Sequence, residues 1–150
     1  QIMELLQRLQ AERHMGLMLI SHDLGVVGDI ADEVAIMYAG RIVERGGVDA
    51  VFDGPHHPYT HGLLASLPQI DRTVDKLVAI PGSLPSLAAR PRACQFHPRC
   101  FYAQEICRQE EPPLRPVGSG APAGPHVAAC HFAETAVIGG VAAARAEVEA

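Results

Sequence analysis

The apolar positions along the chain follow two different periods, and each period predicts a different kind of element. Residues 2–14 place Leu5, Leu6 and Leu9 on one face at the spacing of an amphipathic helix. Gly16 stands where glycine commonly follows a helix. We therefore expect a first helix over residues 2–14 whose leucine face belongs to a hydrophobic core.

The apolar run Leu17–Ile20 has no polar alternation, which is typical of a strand covered on both faces in a parallel sheet. The run ends at Ser21-His22-Asp23, where Ser21 or Asp23 is suited to cap a helix that begins at Leu24. Ligands of open α/β sheets bind beyond the carboxyl ends of the strands. The pattern thus predicts that a buried strand delivers His22 to a ligand crevice, with an ordinary polar residue at a strand end as the alternative.

A hairpin follows. Glu33–Tyr38 and Arg41–Glu44 are rich in strand-forming residues, and the dipeptide Ala39-Gly40 between them predicts a two-residue turn. Gly46-Gly47 is expected to end the second strand.

Two helical segments follow the hairpin, and beyond them the regular pattern of apolar positions is lost. Val48–Phe52 predicts a helical turn, and a longer helix with Pro58 near its first position runs to Leu67. From Pro68 onward sustained periodicity is lost, so we place a boundary there. The chain divides into residues 1–67, an extension over 68–132, and a frayed or disordered tail over 133–150.

Composition narrows the class of protein. Hydrophobic residues make up 48% of the chain, enough for a core, while the net charge of −5 and the scattered arginines do not suit nucleic-acid binding. No apolar run approaches the roughly 20 residues that span a bilayer, and a signal-peptide pattern is lacking, which favours the cytosol. The helical face begins at residue 1 without an initiator Met, so we expect a fragment of a longer protein.

Four cysteines lie in the extension with the spacings C-x5-C, C-x6-C and C-x22-C. In a reducing compartment such a set suggests metal ligation rather than disulfides. The gaps are wider than those of most zinc sites and match neither common ferredoxin pattern. An iron–sulfur cluster, zinc and unligated thiols all stay open on spacing alone. For His57 and His61, which are four residues apart, we expect solvated or capping roles. The candidate metal ligands are Cys94, Cys100, Cys107 and Cys130.

Longer runs of residues resemble the ATP-binding subunits of ABC-type oligopeptide and dipeptide importers. The runs that show it are residues 15–27, residues 31–44, His57-Pro58-Tyr59-Thr60, Ile80-Pro81-Gly82 and the cysteine tail. The resemblance implies an α/β fold. Residues 1–67 would form the C-terminal portion of a P-loop NTPase (ABC ATPase) domain, and residues 68–132 an irregular, cysteine-rich, metal-binding extension.

In that family the histidine after the strand contacts the γ-phosphate of ATP, and the match gives this catalytic and ATP-contacting role to His22. The glycine-rich phosphate loop, the signature and the acidic Mg²⁺-binding strand have no counterpart in these 150 residues. The intact family member uses ATP and Mg²⁺. We expect this chain alone neither to bind ATP with useful affinity nor to hydrolyse it.

The resemblance also implies partners. These are a second ABC ATPase subunit, two membrane permease subunits and, indirectly, a substrate-binding protein, at the cytoplasmic face of the bacterial membrane. It implies a [4Fe-4S] cluster on the four cysteines, with zinc as the alternative. It leaves open whether peptides or nickel are transported. The rival hypothesis is a stand-alone iron–sulfur or zinc module, structural or redox, without a role in transport.

Overall fold

The computed structural model describes residues 2–67, 80–86, 90–118 and 125–135. The predicted boundary at Pro68 and positions 136–150 of the predicted tail lie outside these ranges. The helices are α1 (Ile2–Arg13), α2 (Leu24–Ile30), α3 (Val48–Asp53), α4 (Pro58–Ala65) and α5 (Glu105–Gln109). The strands are β1 (Glu33–Tyr38), β2 (Arg41–Gly47), β3 (Arg115–Pro116) and β4 (Val127–Ala128), and they form one antiparallel sheet in the order β1-β2-β4-β3.

The predicted hairpin is confirmed. Ala39 and Gly40 have φ angles of 48° and 82°, the positive values that a two-residue turn needs to match the twist of its strands. The second strand continues through Gly47, past its predicted end. A Cβ on Gly46 would lie 3.2 Å from the ring of His126, so the glycine lets this ring lie against the strand.

A β-bulge in the hairpin determines which side chains face the core. Ile36 pairs with Glu44, but the next residue, Met37, pairs with Ile42, which leaves Val43 as an extra residue on β2. The two consecutive residues Val43 and Glu44 are consequently both buried. A carboxylate thus lies on the inner side of the sheet.

Glu44 is 0% exposed and its carboxylate joins three parts of the chain. Its Oε1 accepts hydrogen bonds from the backbone N–H of His56 at 2.6 Å and from Nε2 of His126 at 2.7 Å. Its Oε2 accepts from the backbone N–H of His57 at 3.0 Å. Because His56 and His57 immediately precede α4 and His126 precedes β4, the carboxylate holds the hairpin, the start of α4 and β4 together.

Three aromatic rings pack beside this group. The centroid of Tyr38 lies 4.7 Å from that of Tyr59 and 5.2 Å from that of Phe96, and Tyr59 and Phe96 are 5.5 Å apart. Arg99 donates from Nε to the carbonyl of Pro81 at 2.7 Å. These contacts pack the first cysteine-containing segment and the loop around residue 81 against the hairpin and α4.

The predicted buried strand Leu17–Ile20 is wrong. This segment is irregular, and its side chains are exposed, from 37% at Leu17 to 90% at Ile20. A strand covered on both faces needs neighbouring strands, and no strand in the described ranges pairs with it. The parallel sheet expected around this segment is therefore not observed, and the sheet that forms is antiparallel.

The first helix is confirmed, but its predicted role in the core is not. It ends at Arg13, and His14 with a φ of 50° occupies the left-handed position that was predicted for Gly16. None of its side chains is buried, and Leu5 is 45% exposed. Its apolar face is therefore not part of the core that the described residues form.

We expect Glu44→Ala to lower the free energy of unfolding by about 3–5 kcal/mol, because it leaves buried donors without an acceptor. Glu33→Gln is the matched control, since Glu33 lies in the same hairpin and pairs with Arg45 at 3.0 Å on the exposed face. That control should change the free energy by less than about 1 kcal/mol. Urea denaturation at pH 7 measures both, and equal losses for the two variants would contradict the role of Glu44.

Candidate functional site

His22 is exposed in the irregular segment between α1 and α2. Its neighbour Asp23 is the N-cap of α2, and Asp23 Oδ1 accepts from the N–H groups of Gly25 at 3.0 Å and Val26 at 3.2 Å. Ser21 Oγ accepts from the N–H of Asp23 at 3.0 Å. The predicted helix cap is confirmed. The strand that was expected to present His22 does not form.

The four cysteines come together from three segments of the chain. Cys94 and Cys100 flank a turn, Cys107 lies in α5, and Cys130 follows β4. The backbone N–H of Cys94 donates to the carbonyl of Cys107 at 3.2 Å, which joins two of these segments. All four residues are free cysteines and line one small cavity. The sequence placed these residues far apart, with 22 residues between the last two, and the fold brings them to one place.

Burial favours the protonated form of three of these thiols, those of Cys94, Cys100 and Cys130. Burial, together with the smaller effect of the neighbouring thiols, raises the pKa of Cys100 to about 12 and that of Cys130 to about 11. Burial also raises the pKa of Cys94. Because the thiolate is the form that attacks electrophiles and binds metals, these three thiols are unreactive at neutral pH unless a cation displaces their protons.

Backbone amides oppose this effect at two of the sulfurs. Hydrogen bonds from the backbone of Phe96 and His97 lower the pKa of Cys94, and a hydrogen bond from the backbone of Phe132 lowers that of Cys130. At both cysteines a donor lies two residues later in the chain. Donors directed at a sulfur stabilise its thiolate form, which is the form a metal binds.

In the described part of the chain, no group of three or more His, Cys, Asp or Glu side chains is arranged to hold a metal ion. Four thiols around one cavity, with amides directed at two of them, are nevertheless a donor set of the kind that zinc and iron–sulfur centres use. Binding a metal would require these side chains to rearrange.

The histidines near the cysteines have other partners. His97 Nδ1 lies 2.8 Å from the carbonyl oxygen of Cys94, and His131 Nε2 lies 3.1 Å from that of Glu110. His126 is bonded to Glu44. The four thiols are therefore the better candidates for metal ligands.

His57 is the N-cap of α4, and its Nδ1 accepts from the N–H of Tyr59 at 3.0 Å. The capping role expected for it is confirmed, but it is not solvated, because only 2% of it is exposed. Its ring lines the cysteine cavity. Burial lowers the pKa of His57 to about 4, although Glu44 acts in the opposite direction.

Sequence reasoning missed Glu44. In the observed register Glu44 lies opposite Ile36, and cross-strand partners share a face of the sheet. The side chain of Ile36 faces the core. The bulge at Val43, which a sequence pattern does not reveal, hid this register.

Comparisons with known proteins agree on one family. The family described as "Oligopeptide/dipeptide transporter, C-terminal region" matches residues 43–107. A protein of Brucella abortus strain 2308, named as a peptide import ATP-binding protein, is 49% identical over 121 residues, which cover 81% of this chain and 36% of the relative. A protein of Brucella ovis, also named as a peptide import ATP-binding protein, is 50% identical over 123 residues. The match covers 78% of this chain and 36% of the relative.

The chain thus spans 36% of the length of these curated relatives. Among the residues that the structure describes, no helix is both long enough and apolar enough to cross a membrane.

We expect the metal-free chain to lose stability when the pH falls from 7 to 5. Unfolded His57 takes up a proton below about pH 6.5, whereas the folded residue stays neutral down to about pH 4, so acid favours the unfolded state throughout this window. The contribution of His57 at pH 5 is a loss of about 2 kcal/mol. Urea denaturation of the unmodified chain and of His57→Asn at both pH values isolates the contribution of His57. An identical pH dependence of stability in the two proteins would contradict the assignment of this effect to His57.

Proposed function

We propose, since the chain belongs to the ATP-binding proteins of the oligopeptide/dipeptide transporter family, that it is the C-terminal part of a subunit that hydrolyses ATP to drive peptide import. The observation that supports this most strongly is the sequence identity with peptide import ATP-binding proteins over four fifths of the chain. The similarity favours the importer over the stand-alone metal or redox module.

The intact subunit would work with partners that this chain does not contain. We propose a second ABC ATPase subunit, two membrane permease subunits and, indirectly, a substrate-binding protein. The subunit would be peripheral, at the cytoplasmic face of the membrane, and would use ATP with Mg²⁺.

The exposed apolar surface of the N-terminal segment supports this assignment. Leu17–Ile20 and the leucine face of α1 are apolar, and none of their side chains is buried in the described part of the chain. Exposed apolar surface of this kind is typical of a contact with further protein. The rest of an ATPase domain, with strands on both sides of residues 17–20, is the partner we propose for it.

In that setting His22 would act at the γ-phosphate of ATP. It lies at the end of the apolar run and directly before the N-cap of α2. An imidazole N–H donates a charge-assisted hydrogen bond to a phosphate oxygen, which is worth about 1.5–3 kcal/mol. Made only in the transition state, such a bond changes the rate by about one to two decades.

We further propose that Cys94, Cys100, Cys107 and Cys130 hold a [4Fe-4S] cluster, with zinc as the alternative. Four thiolates satisfy either centre, and metal binding would supply the free energy to remove protons from the thiols. Such a centre would have a structural role, because four protein ligands leave no position open for a substrate.

We expect His22→Ala in the intact subunit to lower the rate of ATP hydrolysis about 10–100-fold, with smaller effects on ATP binding. His14→Asn is the matched control, because His14 is an exposed histidine in the same segment and asparagine tolerates its positive φ. Phosphate release measured at saturating ATP checks the prediction. An unchanged rate for His22→Ala would contradict the proposed role.

We expect the intact subunit, purified without oxygen, to contain iron and acid-labile sulfide in equal amounts, and Cys107→Ser to lose most of both. Zinc without sulfide would support the alternative centre. His131→Asn is the control, since His131 also lines the cavity but is not a proposed ligand, and it should retain the metal. Metal analysis that finds neither iron nor zinc in the unmodified protein would contradict both forms of the proposal.

A further inference from the structure

A second cavity, the hairpin cavity, opens between the β1–β2 hairpin and the residues that follow α5. Its volume is about 480 Å³, which is within the range of small-molecule sites, about 300–1,000 Å³. Among the described residues it shares only His57, Cys94 and Phe96 with the cysteine cavity, so the two are separate spaces. No part of the proposed function uses the hairpin cavity.

Much of the wall of the hairpin cavity is apolar. Val43 and Phe96 are buried there. Ile42 and Leu114 line it as well but are 41% and 45% exposed, so apolar surface remains in contact with water. An apolar group of a ligand would cover this surface, and the removal of apolar surface from water favours binding.

An ion pair belongs to the same lining. Arg41 Nη1 lies 2.7 Å from Glu111 Oε1, and the two side chains are 56% and 39% exposed, so a ligand can reach the pair from solvent. Gln95 holds the guanidinium from another side. In the amide orientation that satisfies both of its ends, its oxygen accepts from Arg41 Nε at 3.1 Å and its nitrogen donates to the carbonyl of Ala39 at 3.2 Å. The position of the positive charge is therefore set by the protein itself.

Two fixed charges of opposite sign beside an apolar wall are complementary to a zwitterion with an apolar side chain. The carboxylate of such a ligand would accept hydrogen bonds from Arg41, and its ammonium would donate to Glu111. A ligand with a single charge fits less well, because one member of the ion pair has the same charge and repels it.

We propose that the hairpin cavity binds a free α-amino acid with an apolar side chain. The charges of an α-amino acid are on one carbon, close together like those of the ion pair. In a peptide they belong to different residues, whose Cα atoms are about 3.8 Å apart or more, so the pair selects against peptides. The inference does not rest on the proposed function, because it uses only residues of this chain.

The test measures binding to the intact subunit by isothermal titration calorimetry, with L-leucine as the probe. We expect saturable binding with a dissociation constant of about 10 μM to 1 mM, as suits so small a ligand. Isocaproate lacks the ammonium of leucine and isoamylamine lacks its carboxylate, and both should bind at least about 10-fold more weakly. The dipeptide leucyl-leucine should also bind more weakly than leucine.

Two variants connect each charge of the ligand to one side chain. Arg41→Gln should weaken leucine binding about 10–100-fold and abolish the preference for leucine over isoamylamine. Glu111→Gln should weaken it to a similar extent and abolish the preference for leucine over isocaproate. A purely structural loss would weaken all ligands alike and leave both preferences unchanged.

Arg45→Gln is the matched control. Arg45 belongs to the same hairpin and pairs with Glu33 at 3.0 Å, but it does not line the hairpin cavity, so this variant should bind leucine normally.

Absence of saturable leucine binding up to about 10 mM would overturn the inference. Equal binding of leucine and its singly charged analogues, tighter binding of the dipeptide, or an equal loss in Arg45→Gln would overturn it as well. Unchanged binding in Arg41→Gln would place the ligand elsewhere in the subunit and rule out this site. None of these results depends on ATP hydrolysis, so the proposed function succeeds or fails separately.

Discussion

The buried carboxylate of Glu44 is the interaction on which the described structure depends. It accepts hydrogen bonds from the backbone of His56 and His57 and from the ring of His126, which belong to segments on either side of the region around residue 68. A buried carboxylate is costly unless its oxygens are satisfied, so the site is stable only when these segments are all in place. The β-bulge at Val43 is what directs the carboxylate inward.

The cysteine cavity is connected to this carboxylate through one residue. The backbone of His57 is bonded to Glu44, while its ring forms part of the cavity wall. Phe96, which lies between Cys94 and Cys100 in the sequence, packs on Tyr38 of the hairpin. The sheet also joins the hairpin to the cysteine region, since β4 from the cysteine region pairs with β2 of the hairpin. The hairpin and the cysteine region thus share a core.

Local features could be predicted from the sequence. The turn at Ala39-Gly40, the cap at Asp23 and the position of Pro58 at the start of α4 depend on residues close in sequence, and all three are present. The contact of Glu44 with His126 could not be predicted, because it joins positions 82 residues apart and follows from a bulge. The segment Leu17–Ile20 has the sequence of a buried strand, but no strand of the described residues pairs with it.

The separation of Glu44 from His126 also bears on the order in which the protein is made. A ribosome completes the hairpin and α4 long before residue 126 is synthesised, and domains generally fold from the N-terminal side as they emerge. Until then Oε1 of the inward-facing carboxylate can accept from the N–H of His56 but not from the ring of His126. The set of donors to Glu44 is therefore completed only after the segment that carries His126 has been synthesised.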